Sequence, residues 1–200
     1  MTGLLGGTFD PPHNGHLALA EAALRELDLE RLVVMVARQP PHKEALTEAE
    51  TRYRLACAAF AELPDFELPR DELDRPGPGY TVDTVQELER RFGDVVVVVG
   101  GDMFVSFPTW REPDRILEHA LLAVAERPGA SSGDFEGVFA QIRRPDRVRF
   151  FDMPQVDVSA SDVRRRVAAR EPYAHLVPAA VARLIQELGL YRSEPASGVH

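Results

Sequence analysis

Residues 4–16 read Leu4-Leu5-Gly6-Gly7-Thr8-Phe9-Asp10-Pro11-Pro12-His13-Asn14-Gly15-His16. A short apolar run meets two glycines, and the stretch closes on His-Asn-Gly-His where Leu17, Ala20, Leu24 and Leu27 begin to recur at helical spacing. The order predicts a strand, a glycine turn and a helix start. Glycines let the backbone approach a ligand closely, and the Thr8 hydroxyl can donate to it. Gly15 and His16 fall at or near a helix N-terminus, where unpaired N–H groups and the dipole favour an anion. His13 and His16 can hydrogen-bond phosphate oxygens and, when protonated, offset their charge. Gly-Gly alone is loop punctuation and Pro-Pro-His-Asn alone is a turn signal. Together the parts describe a phosphate site.

Outward from this stretch, apolar runs alternate with helical patterns. Residues 32–36 (LVVMV), 95–99 (VVVVV), 121–125 (LLAVA) and 148–151 (VRFF) are short and mostly uninterrupted. Such runs suit strands buried on both faces of a parallel sheet. Between them, Thr47-Glu48-Ala49-Glu50 reads as a capping box opening a helix to about Leu63. Val82, Val85, Leu88 and Phe92 mark another helix, and Pro178 and Gly189 bracket one carrying Val181, Leu184, Ile185 and Leu188. The alternation predicts an α/β fold, a doubly wound Rossmann-like parallel sheet with helices on both faces. With no repeat and no splitting linker, residues 1–192 read as one domain. Residues 129–133 (GASSG) read as a flexible loop and 193–200 as a flexible tail.

Composition narrows the class. The chain has 200 residues, 44% of them hydrophobic, as in a soluble globule able to bury a core. No apolar run is long enough to span a bilayer, and no signal peptide is evident. The single cysteine, Cys57, cannot close an internal disulfide, so the expected home is the cytoplasm. Among alanines in a helical stretch, it reads as a packed small residue. A formal net charge of −9 argues against non-specific nucleic-acid binding, yet is compatible with a nucleotide substrate met by local cations. Self-association as a homo-oligomer stays open.

In a doubly wound sheet the ligand lies beyond the carboxyl ends of the strands. There the five valines run into Gly100-Gly101-Asp102, whose carboxylate on a glycine turn can accept from both ribose hydroxyls or cap a helix. Val158-Ser159-Ala160-Ser161-Asp162-Val163-Arg164 places Ser159 as an N-cap, with Asp162 three residues on. Ser161 and Arg164 share one helix face. Two hydroxyls, helix-start N–H groups and a guanidinium suit a polyphosphate. As a bare pattern the same residues make a capped helix with a solvated stripe, Arg164 to Arg166.

The opening string resembles the [H/T]-x-G-H signature with which the nucleotidyltransferase superfamily binds ATP. The 158–164 segment resembles the I-S-[ST]-T-x-I-R segment that holds the triphosphate there, with Ser161 where Thr is usual and Val158 and Val163 for isoleucines. Pro40-Pro41-His42-Lys43, Tyr80-Thr81-Val82-Asp83-Thr84, Phe107-Pro108-Thr109-Trp110 and Gly189-Leu190-Tyr191-Arg192 resemble segments of the bacterial nicotinate-mononucleotide adenylyltransferases, so the likeness runs along nearly the whole chain. It implies adenylyl transfer from ATP to nicotinate mononucleotide, giving deamido-NAD and pyrophosphate. It also implies that His13, His16, Ser161 and Arg164 are catalytic. Gly7, Thr8, Phe9, Gly15, Gly100, Asp102, Arg127 and Ser159 would bind ATP, with Arg127 bordering adenine. Thr81, Thr109 and Trp110 would hold the nicotinate group, with carboxylate donors at Thr81 and on the backbone beside Trp110. Lys43 on its proline-stiffened loop can reach phosphates or remain a solvated charge. Trp110 can stack on a pyridine ring or pack in the core. Magnesium would ride on the triphosphate and need no protein cage.

Rival readings differ in place and class. Pantetheine-phosphate adenylyltransferase has a similar first motif but is set apart by the Tyr-Thr and Phe-Pro-Thr-Trp segments. A second rival prefers nicotinamide mononucleotide. A nucleotide sensor without chemistry has no need of His13, His16, Ser161 and Arg164 together, and a class I aminoacyl-tRNA synthetase needs a tRNA-reading domain for which this acidic chain has no room.

Overall fold

The computed structural model describes residues 1–40, 45–126 and 135–192. Lys43, Arg127, the 129–133 loop and the 193–200 tail lie outside the described residues. The strands are β1 (Thr2–Gly7), β2 (Arg31–Val36), β3 (Phe66–Glu67), β4 (Val95–Gly100), β5 (Ala120–Glu126) and β6 (Val148–Asp152). They form one sheet in the order β3-β2-β1-β4-β5-β6, every pair parallel. The helices are α1 (Asn14–Glu26), α2 (Ala49–Phe60), α3 (Asp71–Asp74), α4 (Thr81–Phe92), α5 (Gly101–Ser106), α6 (Pro113–His119), α7 (Glu136–Phe139), α8 (Ala160–Ala168) and α9 (Ala179–Glu187).

Because side chains alternate across a strand, each apolar run feeds two cores. Leu5, Val34, Val96, Val98 and Ala123 face one side, with Ala20 and Ala23 of α1, Leu55 and Phe60 of α2, Val163 of α8 and Ile185 of α9. Leu4, Val33, Val97, Leu122 and Val124 face the other, with Val85 and Leu88 of α4, Phe104 of α5 and Ile116 of α6. This is the doubly wound α/β arrangement expected of the sequence. No helix among the described residues is long and apolar enough to cross a membrane.

Several local expectations change. Gly6 and Gly7 belong to β1, in register with Met35 and Val36, so the turn begins only at Thr8. Gly100 likewise ends β4 opposite Ala125, and α5 starts at once, leaving no glycine turn before Asp102. The Thr47 capping box does not form. Glu48 is the N-cap of α2, while the Thr47 N–H donates to Asp10 and the Thr47 carbonyl accepts from Arg52. That helix ends at Phe60, with Leu63 buried beyond it. Pro178 caps α9, and Gly189 takes φ +63 as the chain leaves it.

Candidate active site

Beside β1 the connection runs one way to β2, and beside β4 it runs the other way to β5. Such a reversal opens a crevice at the carboxyl ends of the two strands. The loop after β1 and the start of α5 after β4 flank it.

The loop after β1 is folded back on itself. Phe9 sits at φ +51 with its ring buried against Phe60 and His16. A Cβ on Gly7 would meet that ring at 2.7 Å, so only glycine fits above it. Phe9 can therefore meet a nucleotide only through its backbone. His13 is the N-cap of α1, and the His13 and His16 rings stack with centroids 3.7 Å apart. The His13 N–H donates to His16 Nδ1 at 3.2 Å, which fixes the proton of a neutral His16 ring on Nε2, a donor. His13 Nδ1 is buried without a hydrogen-bond partner, and burial pulls its pKa down from 6.5 to about 4. His13 is thus neutral near pH 7. Of the two roles expected of His13, burial favours the neutral hydrogen-bonding form over the cation. A Cβ on Gly15 would come within 3.1 Å of the His13 ring and 3.2 Å of Val158, so glycine lets α8's approach close on α1.

On α8, Ser159 is the N-cap and accepts from the Asp162 N–H at 3.1 Å. Asp162 does not reach back to complete a box; its carboxylate takes Arg165 and Arg166, each at 2.8 Å. Those pairings separate the three arginines. Arg164 alone turns inward, donating to the Asp10 carbonyl at 2.6 Å and to Ser161 Oγ at 3.2 Å. His13, Gly15, Ser159, Ser161 and Arg164 are thereby gathered around one loop.

A second group lies towards the other face. Thr81 is the first residue of α4, where the opening N–H groups have no acceptor within the helix. Thr109 Oγ1 donates to the Ser106 carbonyl at 2.7 Å. Trp110 packs edge-on to Phe107 with centroids 5.4 Å apart, and its Nε1 is buried without a hydrogen-bond partner. Buried donors are nearly always satisfied, so an unpaired indole N–H marks a place for a polar group. Gly100 caps α5 and Asp102 stands exposed in its first turn. Against α4, buried Glu72 accepts from the Thr84 hydroxyl at 2.5 Å, and a Cβ on Gly79 would meet its Oε2 at 2.6 Å. Burial pushes the Glu72 carboxyl up, towards the neutral form.

Sequence reasoning missed what holds the first group. Arg52 is 1% exposed and donates to the carbonyls of Thr8, Ala37, Arg38 and Thr47 at 2.7–3.0 Å. Asp10 is 4% exposed and its carboxylate accepts from the Leu46 and Thr47 N–H groups and the Tyr191 hydroxyl. One signal was present: Arg52 stands on the apolar stripe of α2 with Leu55, Ala56 and Ala59, where a cation needs buried acceptors. Among the described residues, no group of three or more His, Cys, Asp or Glu could hold a metal ion.

The cytidylyltransferase-like family matches residues 4–166. A protein of Thermomicrobium roseum named as a probable nicotinate-nucleotide adenylyltransferase is 42% identical over 97% of this chain and 92% of its own. One of the same name from Thermus thermophilus is 40% identical over 95% and 98%. The chain belongs to the nicotinate-nucleotide adenylyltransferase family. The fold of that family is seen again in Plasmodium falciparum nicotinic acid mononucleotide adenylyltransferase, solved with APC and with NaAD. Those structures cover 95% of this chain and 96% of their own, with TM-scores of 0.75 and 0.74 at 14% and 15% identity.

Proposed function

We propose that this protein transfers the AMP moiety of ATP to nicotinate mononucleotide, giving deamido-NAD and pyrophosphate in NAD biosynthesis. The observation that carries the reading is the gathering of His13, His16, Ser161 and Arg164 around the loop after β1, at the sheet's switch point. Family membership over nearly the whole chain supports it.

The 5′-phosphate of the mononucleotide attacks the α-phosphorus of ATP in line. A P–O bond forms there, the α–β bridging P–O bond breaks, and pyrophosphate leaves with the electron pair. A phosphate is already a nucleophile, so the protein needs no covalent intermediate. Its work is to hold two anions together and stabilise the charge gathering on the leaving group. Neutral His13, His16 donating from Nε2, the Thr8 and Ser161 hydroxyls and the Arg164 guanidinium do this, with Lys43 as a further cation for the phosphates. Gly100, open where a Cβ would stand, lets the nucleotide lie against the backbone, while Gly7 and Gly15 give up their side chains to Phe9, His13 and Val158 and line the nucleotide from the loop. Asp102 takes the ribose hydroxyls, Ser159 a phosphate, and Arg127 would border adenine. Magnesium bound to the triphosphate would supply further positive charge, with no cage of protein ligands required. The cytoplasm is the compartment that fits a single free thiol.

Thr81, Thr109 and Trp110 hold the nicotinate group. Acid and amide have nearly the same shape, so the choice must be made by donors. Backbone N–H groups at the start of α4 and beside Trp110 suit a carboxylate and cannot reverse to accept an amide NH₂. The test is pyrophosphate release from ATP and magnesium with nicotinate mononucleotide, nicotinamide mononucleotide or phosphopantetheine. Turnover of the acid well above the amide, with phosphopantetheine inert, is expected. Faster use of phosphopantetheine overturns the choice of acceptor, and no turnover with any acceptor leaves a nucleotide sensor.

A further inference from the structure

We propose that Tyr191 is a positioning residue for the transfer, holding Asp10 so that the Asp10 carbonyl aims the Arg164 guanidinium at the phosphates. The inference rests on the reading above and extends it to a residue 181 positions away along the chain.

Asp10 lies midway along the loop between Thr8 and His13. Its two ends serve different masters. The carboxylate receives the Tyr191 hydroxyl on Oδ1 at 2.7 Å, and the Leu46 and Thr47 N–H groups on Oδ2 at 2.8 and 3.3 Å. The carbonyl receives Arg164 Nη1 at 2.6 Å, while Arg164 Nη2 reaches Ser161 Oγ. A guanidinium is a planar fork, so fixing one nitrogen sets the direction of the others. Whatever displaces Asp10 therefore redirects Arg164.

Tyr191 is built for this contact at some expense to its backbone. It stands at φ +60, a conformation that non-glycine residues rarely adopt. The ring is thereby brought from the end of the described chain into the loop after β1. Burial pushes its phenol well above the ordinary range, so the hydroxyl stays a donor at any working pH. Arg52 holds the neighbouring Thr8 carbonyl at 2.8 Å, while Oδ1 of Asp10 takes the Tyr191 hydroxyl.

Tyr191→Phe removes the hydroxyl and keeps the ring. Kinetics are measured for this variant and for the same change in an Arg164→Ala background, with thermal unfolding in parallel. If Tyr191 acts through Arg164, Tyr191→Phe lowers kcat about tenfold in the parent with KM for the mononucleotide within about twofold. In the Arg164→Ala background it then changes kcat by less than about twofold, because the residue it aims is gone. An unchanged kcat in the parent, the same loss in both backgrounds, or a variant that does not fold at room temperature would each overturn the proposal. Failure of the adenylyl-transfer reading shows itself separately, as no turnover by the unsubstituted protein. In that event the affinity for a non-hydrolysable ATP analogue carries the same cycle, with loss in the parent alone expected and equal loss in both backgrounds overturning it.

Discussion

The two halves of the crevice are held by different physics. The half proposed for the phosphates, from Thr8 to Gly15 with α8, is tied by buried charge, Arg52 to four carbonyls and Asp10 to three donors, with half-buried Arg164 bound to Asp10 and Ser161. The half proposed for the pyridine ring is tied chiefly by packing of Tyr80, Phe107 and Trp110 on the second core, with the Thr84–Glu72 bond on α4. Its Trp110 Nε1 stays unpaired. The contrast suits the tasks proposed for the two halves. Charge that develops during reaction is stabilised best by dipoles already fixed in place. A ring and its substituent can be read by an apolar surface with a few directed donors.

Breaking the phosphate half at its root should have the largest effect. Arg52→Met leaves four buried carbonyls without their donor, and should lower stability by about 4 kcal/mol, or roughly 8–16 °C in Tm. A loss below about 1 kcal/mol in chemical unfolding would show that this half is not held by buried charge. His16→Ala should cut kcat some 100- to 1000-fold, about 3–4 kcal/mol, with mononucleotide binding nearly intact. Activity within a few-fold of the parent would make His16 structural.

The pH dependence of stability sharpens the contrast, since each half buries a titratable group of opposite sense. His13 is held near 4 against 6.5 when unfolded. Between those values the unfolded chain binds the proton and the native one does not, so stability present above pH 6.5 is lost as pH falls towards about 4. The loss is at most roughly 3 kcal/mol, and His13→Asn should flatten it. Glu72 is shifted the other way, upward by burial. Its contribution is complete below 4.5 and is lost as pH rises through the folded value, and Glu72→Gln should remove that decline. Unfolding curves across pH that are unchanged by both substitutions would contradict this assignment. On the pyridine side, Trp110→Ala should weaken acid and amide mononucleotides alike, by about 1–2 kcal/mol, because stacking reads the ring. Harm to the acid alone would mean that Trp110 reads the substituent.

How far the sequence revealed this molecule depended on range. The parallel sheet was legible because the 32–36 and 95–99 runs are apolar on both faces. By contrast β3 has two residues and α3 four, too short to show a period. Contiguous strings such as 158–164 also read well, down to the Ser159 cap. The failed Thr47 cap shows the limit. Both backbone groups of Thr47 are claimed, the N–H by Asp10 from far along the chain and the carbonyl by Arg52 from the buried stripe of α2, and the Asp10 contact is one that no local pattern could reveal. The Asp10–Tyr191 bond was hidden for the same reason, although each residue lies in a segment that carries the family resemblance.

The division of labour between the halves is tested most directly by one ratio. Acid and amide mononucleotides are mixed with ATP, and the two products are counted in competition for the parent, His16→Ala and Thr81→Val. The expected result is a ratio unchanged in His16→Ala despite its large loss of rate, and a reduced ratio in Thr81→Val, chiefly through a weaker acid. A ratio that collapses in His16→Ala, or survives intact in Thr81→Val, would contradict the separation of chemistry from recognition.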